Sequence, residues 1–203
     1  MVISGMQKLT LLDYPGKTAC LLFTQGCNFR CPFCHNASLV VNIPKEAEIS
    51  EDEFFKFLQK RKGILDGVCV SGGEPLLQPD IELFIRKIKD MGFAVKLDTN
   101  GSFPDKLIHL VEEGLVDYVA MDIKNSPETY VLTAGVDVLD MEAIRGSVLY
   151  LKDGNIPYEF RTTVVKHYHS KEGFEEIGKW LVGADKYFLQ NFVDSGDLIG
   201  KKK

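Results

Sequence analysis

The sequence predicts an α/β protein in which strands and helices alternate along 203 residues. Six short apolar runs, typical of buried strands, are separated by amphipathic stretches with helical periodicity. Alternating βα units favour a parallel sheet covered by helices. Six units are fewer than the eight of a closed barrel. We therefore expect a partial, TIM-like (β/α)6 barrel with parallel strands, open on one side; a flat doubly wound sheet is the alternative.

The predicted strands are rich in apolar residues along their whole length. They span residues 17–24, 66–71, 93–98, 117–123, 157–165 and 186–192. The predicted helices repeat apolar residues at intervals of three and four. They span residues 50–62, 80–91, 104–113, 141–152 and 171–181. Ser50 and Glu53 form a capping box at the start of the first helix, and Gly92 can cap the end of the second.

Length and composition predict one domain over residues 1–203. The net charge of −5 indicates neither a nucleic-acid partner nor a membrane surface. The only basic run, Lys201–Lys203, is either a solvated tail or the point where a longer chain was cut. The opening has no apolar signal region, and no apolar run approaches 18 residues. An odd count of five cysteines, three of them clustered, favours a reducing, cytoplasmic setting.

The clustered cysteines Cys27, Cys31 and Cys34 follow the first predicted strand with the spacing C-x3-C-x2-C. Thiolates are the preferred ligands of iron–sulfur clusters, and an ordinary four-iron cluster takes four of them. Three thiolates on one loop would hold three irons and leave the fourth accessible to a small molecule. The sequence therefore predicts a cluster loop over residues 26–36, with an open metal position.

Other interpretations of this loop stay open. The three cysteines and His35 could bind zinc, although consecutive Cys34 and His35 would struggle to reach one tetrahedral ion. The segment from Cys31 to His35 matches the haem-attachment pattern C-x-x-C-H, which requires an exported chain. Cys31 and Cys34 could also form a thioredoxin-type redox pair. The last two interpretations leave Cys27 without a role.

Polar segments end the next three predicted strands. They are Gly72-Gly73-Glu74, Asp98-Thr99-Asn100-Gly101 and Asp122-Ile123-Lys124. In the fifth strand, alternation places Glu159, Arg161 and Thr163 on one face. Since ligands gather at the carboxyl ends of parallel strands, we expect these residues to lie near the cysteine loop. The structural alternatives are a plain turn for the glycines, a simple ion pair for Asp122 and Lys124, and a surface position for Arg161.

The cysteine loop resembles the signature C-x3-C-x-aromatic-C of the radical S-adenosylmethionine (SAM) superfamily, with Phe33 as the aromatic residue. In that superfamily three cysteines hold a [4Fe-4S] cluster, and the open iron binds the methionine part of SAM. Reductive cleavage of SAM then produces a 5′-deoxyadenosyl radical. The resemblance implies that Cys27, Cys31 and Cys34 are metal ligands with a catalytic role, and that Phe33 and His35 lie at the cofactor site.

The strand-end segments extend this resemblance. Gly72, Gly73 and Glu74 resemble the G-G-E motif, which contacts the amino group of bound SAM. The D-T-N-G and D-I-K segments resemble those of glycyl-radical-enzyme activating enzymes, where they border the SAM site. This resemblance implies that Asp98, Asp122, Lys124 and a cofactor-facing Arg161 bind SAM. It also implies that the two aspartates can hold a monovalent cation.

Residues 9–36 are most similar to the activating enzymes of anaerobic ribonucleoside-triphosphate reductase. The resemblance implies a glycyl-radical enzyme as partner, the anaerobic ribonucleotide reductase in particular, and a reducing electron donor such as flavodoxin or ferredoxin. Activating enzymes of the pyruvate formate-lyase type share most of the motifs. A radical enzyme for a small nucleoside-like substrate and a non-catalytic cluster or zinc protein remain as alternatives.

Overall fold

The computed structural model describes residues 1–41, 43, 49–194, 196 and 198–200, and their strands form one sheet. The strands are β1 (Ile3–Thr10), β2 (Ala19–Thr24), β3 (Gly67–Gly72), β4 (Ala94–Thr99), β5 (Tyr118–Asp122), β6 (Tyr158–Val164) and β7 (Tyr187–Asn191). Their order in the sheet is their order in the chain. β2 to β7 are parallel, and no ladder in the described part of the chain joins β7 to β1. The predicted partial barrel, open on one side, is confirmed.

Helices follow the parallel strands. They are α1 (Ala37–Val40), α2 (Glu51–Gln59), α3 (Ile81–Asp90), α4 (Pro104–Glu112), α5 (Tyr130–Ala134), α6 (Met141–Lys152) and α7 (Lys171–Trp180), with a 3₁₀ helix at Pro75–Leu77. The five predicted helices correspond to α2, α3, α4, α6 and α7, and the predicted capping box opens α2. The described part of the chain contains no helix that is both long and apolar enough to cross a membrane.

Strand β1 is the one strand that the sequence analysis missed. It pairs antiparallel with β2 and covers the edge of the parallel sheet. Its middle residues are partly or fully exposed, so its sequence lacks the continuous apolar run that marks the other strands. An antiparallel edge strand of this kind protects the first parallel strand from pairing with another chain.

The two faces of the sheet have different chemistry. The outer face carries Leu22, Val70, Leu97 and Met121, which pack under the helices in the main core. A second apolar cluster fills the inner face near the amino ends of the strands. Its buried members are Tyr14, Ala19, Leu21, Cys69 and Tyr118. The inner face is therefore apolar near the amino ends of the strands, and its polar residues lie near the carboxyl ends.

The cysteine loop lies between β2 and α1, at this polar end. The predicted tail Lys201–Lys203 lies outside the described residues.

Candidate active site

A cleft lies at the carboxyl ends of β2 to β6 and contains about 810 Å³ of space, including its solvent-open mouth. Every predicted site residue except Glu74 lines it. These residues are Cys27, Cys31, Phe33, Cys34, His35, Gly72, Gly73, Asp98, Asp122, Lys124 and Arg161. The topology therefore brings together the loop and the strand ends that the sequence placed far apart.

The cysteine loop is anchored by backbone contacts on both sides. The Gly26 N–H donates to the Leu39 carbonyl in α1 (2.9 Å), and the Arg30 N–H donates to the Ala134 carbonyl at the end of α5 (2.8 Å). Gly135 allows the second contact, because its φ is +66° and a Cβ there would lie 2.1 Å from the Arg30 carbonyl oxygen. The loop is therefore held in place by elements that follow it in the chain.

The three thiols have surroundings that suit a metal cluster. The Phe29 N–H donates to Cys27 Sγ (3.3 Å), and Asn100 Nδ2 approaches the same sulfur at 3.9 Å. N–H donors of this kind stabilise cluster-bound thiolates. Without metal, burial raises the pKa of Cys27 to about 12 and also raises that of Cys31. Metal binding therefore has to displace these protons.

The spacing of the thiols bears on the zinc alternative. Within the residues that the structure describes, no three Cys, His, Asp or Glu side chains converge to form a site for one ion. Zinc would need its sulfurs about 2.3 Å from a common centre. The thiolates of a four-iron cluster bind different irons and do not converge in this way. The described residues therefore do not form a converged site for a single zinc ion.

The two glycines at the end of β3 allow close backbone approach. A Cβ on Gly73 would lie 1.8 Å from the Gly26 carbonyl oxygen. The following amide, Glu74 N–H, donates to this oxygen at 2.8 Å. The glycines thus let the end of β3 pack against the start of the cysteine loop while their backbone still lines the cleft.

The Glu74 side chain is fully buried beneath the cleft. Its carboxylate accepts hydrogen bonds from Thr99 Oγ1 (2.8 Å), the Asn100 N–H (2.7 Å) and the Leu76 N–H (3.0 Å). Burial raises the pKa of Glu74 to about 7, although these hydrogen bonds oppose the rise. This differs from the expectation that the Glu74 carboxylate faces a bound amine. Three donors turn it inward, and it ties the end of β3 to the end of β4.

A network of ion pairs forms the opposite wall of the cleft. Arg161 contacts Asp122 Oδ1 (3.1 Å) and Asp98 Oδ2 (3.4 Å), and Lys124 Nζ donates to Asp122 Oδ2 (2.9 Å). Burial alone would raise the pKa of Asp122, but Lys124 and Arg161 outweigh it and lower the pKa to about 2. The carboxylates in turn raise the pKa values of Lys124 and Arg161 despite burial. Asp122, Lys124 and Arg161 are therefore charged at neutral pH.

Two further residues belong to this network: Lys96, which the sequence analysis missed, and Glu159, which it placed on the same face as Arg161. Lys96 precedes Asp98 by two positions and contacts it, and Glu159 accepts a hydrogen bond from the Tyr118 hydroxyl (2.9 Å) while lying 3.9 Å from Arg161. Strand alternation places Lys96 on the same face as Asp98. A lysine inside an apolar strand was the signal that could have revealed it.

Comparison with known proteins agrees with the chemistry of the cleft. The sequence profile of the Radical SAM superfamily matches residues 21–181. A Methanocaldococcus jannaschii protein, provisionally named a glycyl-radical enzyme activating enzyme, is 35% identical over 199 residues, covering 94% of this chain and 80% of that protein. The pyruvate formate-lyase-activating enzyme of Clostridium pasteurianum is 34% identical over 132 residues, covering 61% of this chain and 52% of that enzyme.

Among solved structures, SuiB of Streptococcus suis bound to S-adenosylmethionine is similar with a TM-score of 0.66. The sequences are 16% identical, and the matched region covers 90% of this chain and 44% of SuiB. At this identity the likeness concerns the fold alone. The chain spans less than half the length of that enzyme.

Proposed function

Because this chain belongs to the radical SAM superfamily, whose members use a [4Fe-4S] cluster and SAM, we propose that it activates anaerobic ribonucleoside-triphosphate reductase by generating a glycyl radical on it. One observation carries the proposal: a single cleft has three cysteines on one wall and a network of fixed charges on the other. The first wall suits a cluster with an open position, and the second suits the charged groups of an amino acid.

Different residues of the cleft would bind the cluster and SAM. Cys27, Cys31 and Cys34 would hold the cluster. The backbone of Gly72 and Gly73 would line the methionine part of SAM, and the ion-pair network would orient its carboxylate and amino groups. When bound and reduced, the cluster supplies the electron that cleaves SAM to a 5′-deoxyadenosyl radical. The fixed charges need little reorganisation, so the protein can hold SAM in one orientation.

A protein substrate is supported by the open side of the barrel. β7 is an edge strand, and Phe188 on it is 48% exposed. The β6–β7 register pairs Phe188 with Arg161, so both side chains project from the same face of the sheet. An extended loop that passes over β7 would therefore reach the cleft. The two relatives with activating-enzyme names agree with a glycyl-radical enzyme as partner.

The choice of the reductase rests on the similarity of residues 9–36. In the structure, part of this segment has a structural role. Tyr14 is buried against Tyr118 at the lower end of the barrel, and Thr10 contacts Asp13. Leu11 and Leu12 are exposed, at the end of the barrel opposite the cleft. Residues 9–14 of the segment therefore support the choice of partner by resemblance and not by a contact within the cleft.

The test is electron paramagnetic resonance after anaerobic reconstitution with iron and sulfide. The reduced protein is mixed with SAM and either anaerobic ribonucleoside-triphosphate reductase or pyruvate formate-lyase. We expect a glycyl signal on the reductase, together with 5′-deoxyadenosine. The Cys31→Ala variant should lose the cluster and both products, whereas Cys20→Ala, a change of a buried thiol outside the loop, should retain them.

The alternatives give different results in the same experiment. A glycyl signal only on pyruvate formate-lyase would assign the chain to that second activating type, which the similarity to the Clostridium enzyme favours. Cleavage of SAM without a signal on either protein would indicate a small substrate. One zinc per chain and no cleavage would overturn the proposal.

A further inference from the structure

Lys96 is a buried lysine that does not line the cleft itself but contacts Asp98, which does. Its side chain is 1% exposed, and its ammonium group contacts Asp98 Oδ1 while lying 6.0 Å from the centre of the Tyr118 ring. Lysine is almost never fully buried unless it is paired, because burial disfavours its charge. A charge in this position therefore has to be balanced by the carboxylate that it contacts.

All four carboxylate oxygens of the two cleft aspartates have a basic partner within the chain. Asp98 Oδ1 contacts Lys96, and Asp98 Oδ2 lies 3.4 Å from Arg161. Asp122 Oδ1 lies 3.1 Å from Arg161, and Asp122 Oδ2 lies 2.9 Å from Lys124. The two aspartates face three cations, and Glu159, 3.9 Å from Arg161, supplies a further negative charge. Each carboxylate oxygen of the aspartates therefore has its charge compensated within the chain, which weakens its attraction for a soluble cation.

This arrangement does not fit the monovalent cation that the resemblance implied for Asp98 and Asp122. A soluble cation binds where carboxylate oxygens are uncompensated, and here the chain itself has filled those positions. A tethered ammonium also avoids the entropic cost that a soluble ion incurs on binding.

We propose that Lys96 is a built-in cation, a positioning residue that takes the place of a soluble monovalent cation beside Asp98. It fixes Asp98 and, through the Asp98 carboxylate, Arg161. The chain therefore binds SAM without a requirement for potassium or sodium. The inference rests on SAM as the ligand of the cleft, and it does not depend on the identity of the protein partner.

The first arm of the test uses the wild-type protein in potassium chloride and in tetramethylammonium chloride at equal ionic strength. Tetramethylammonium is too large for the site of an alkali cation, and its methyl groups keep oxygen ligands away from its charge. It therefore cannot replace a bound potassium or sodium ion. We expect the same melting temperature of the metal-free protein in both salts. The cluster-loaded protein should have the same affinity for SAM in both. A wild-type affinity that rises severalfold in potassium would overturn the proposal.

The second arm uses Lys96→Met, which keeps the length of the side chain and removes its charge. Asp98 then has an uncompensated oxygen, and potassium should bind there. We expect potassium to raise the melting temperature of the metal-free variant by about 2–4 °C relative to tetramethylammonium. In tetramethylammonium, the affinity of the loaded variant for SAM should fall on the order of tenfold. Potassium should restore most of that affinity.

Lys89→Met is the matched control. Lys89 pairs with Asp117 at 2.6 Å, and neither residue lines the cleft. This variant should lose some stability equally in both salts and bind SAM as the wild type does. A folded Lys96→Met variant that is equally insensitive to potassium would show that Lys96 is only structural. If Lys96→Met does not fold, the comparison of the wild-type protein in the two salts still tests the proposal. The melting measurements need no activity, so a failed activation assay leaves this test unaffected.

Discussion

At the scale of single residues, Glu74 connects the fold to the cleft. Its three hydrogen bonds fix the ends of β3 and β4 relative to each other, and its burial raises its pKa to about 7. The ordinary value is 4.5. Because the folded state binds this proton more tightly than the unfolded state, Glu74 makes stability depend on pH near neutrality.

The stability that this proton contributes is fully present below pH 4.5 and is lost as pH rises through 7. Between pH 5 and pH 8, urea unfolding of the metal-free protein should therefore show a decrease of up to about 3 kcal/mol from this group. Glu74→Gln removes the titration, so the variant should be less stable at acidic pH but show a flatter pH profile. Exposed Glu142 provides the control, since Glu142→Gln should retain the wild-type slope. An unchanged slope in Glu74→Gln would contradict the prediction.

The candidate site was predictable from sequence where the signal is local. The spacing of Cys27, Cys31 and Cys34 is contained in one loop, and Asp98 and Asp122 follow apolar runs that end at one edge of the sheet. The roles of Lys96 and Glu74 depend on other strands. A lysine at position 96 is buried because β5 places the Tyr118 ring beside it, while Arg161 of β6 contacts its partner Asp98. The lysine inside an apolar strand was a local signal for its contact with Asp98, but no pattern within one strand predicts the contact of Asp98 with Arg161.

At the scale of elements, the short helix α5 helps to anchor the cysteine loop. Ala134 at its end accepts a hydrogen bond from the Arg30 N–H, and Gly135 leaves room for the Arg30 carbonyl. The five residues of α5 make little more than one turn, which is too short for a periodic pattern. Strands β2 to β6 were predictable because most of their residues are buried and apolar, whereas β1 and α5 owe their conformations to contacts with distant residues.

Gly135→Ala should displace the cysteine loop. A Cβ there would lie 2.1 Å from the Arg30 carbonyl oxygen, and a φ of +66° adds about 1–2 kcal/mol for any residue with a side chain. The control is Gly154→Ala, where φ is +77° and no atom lies within 4 Å of the added Cβ. We expect the control to lose only the stability that a side chain at positive φ costs, and to load iron normally. Gly135→Ala should retain much less iron. Equal iron contents would show that the contact does not shape the loop.

At the scale of the whole molecule, the residues proposed to bind SAM and the residue proposed to contact the partner lie in different parts of the barrel. The ion pairs and cysteines lie inside the cleft, whereas exposed Phe188 lies on the edge strand. Under the proposed function, SAM cleavage and docking of the partner therefore depend on different parts of the same sheet. A substitution on the edge strand should impair docking of the partner without changing SAM cleavage.

Phe188→Ala should reduce the yield of glycyl radical on the partner by about fivefold or more, because exposed aromatic residues contribute strongly to protein–protein contacts. SAM cleavage in the absence of the partner should remain close to that of the wild type. The measurements are the electron paramagnetic resonance signal and the amount of 5′-deoxyadenosine. Leu83→Ala, an exposed change on α3 away from β7, should alter neither. If Phe188→Ala left the radical yield intact, docking over β7 would be excluded.

The anchoring of the cysteine loop also constrains the biogenesis of the protein. During synthesis the three thiols leave the ribosome early, but Gly26 receives its contact from the Glu74 amide and Arg30 receives its contact from Ala134. Neighbouring strands of the sheet are consecutive in the chain, so the native support of the loop is complete only when β5 and α5 have been made and have folded. A nascent chain that ends before residue 134 therefore presents the three thiols to iron and sulfide without the contact between Arg30 and Ala134.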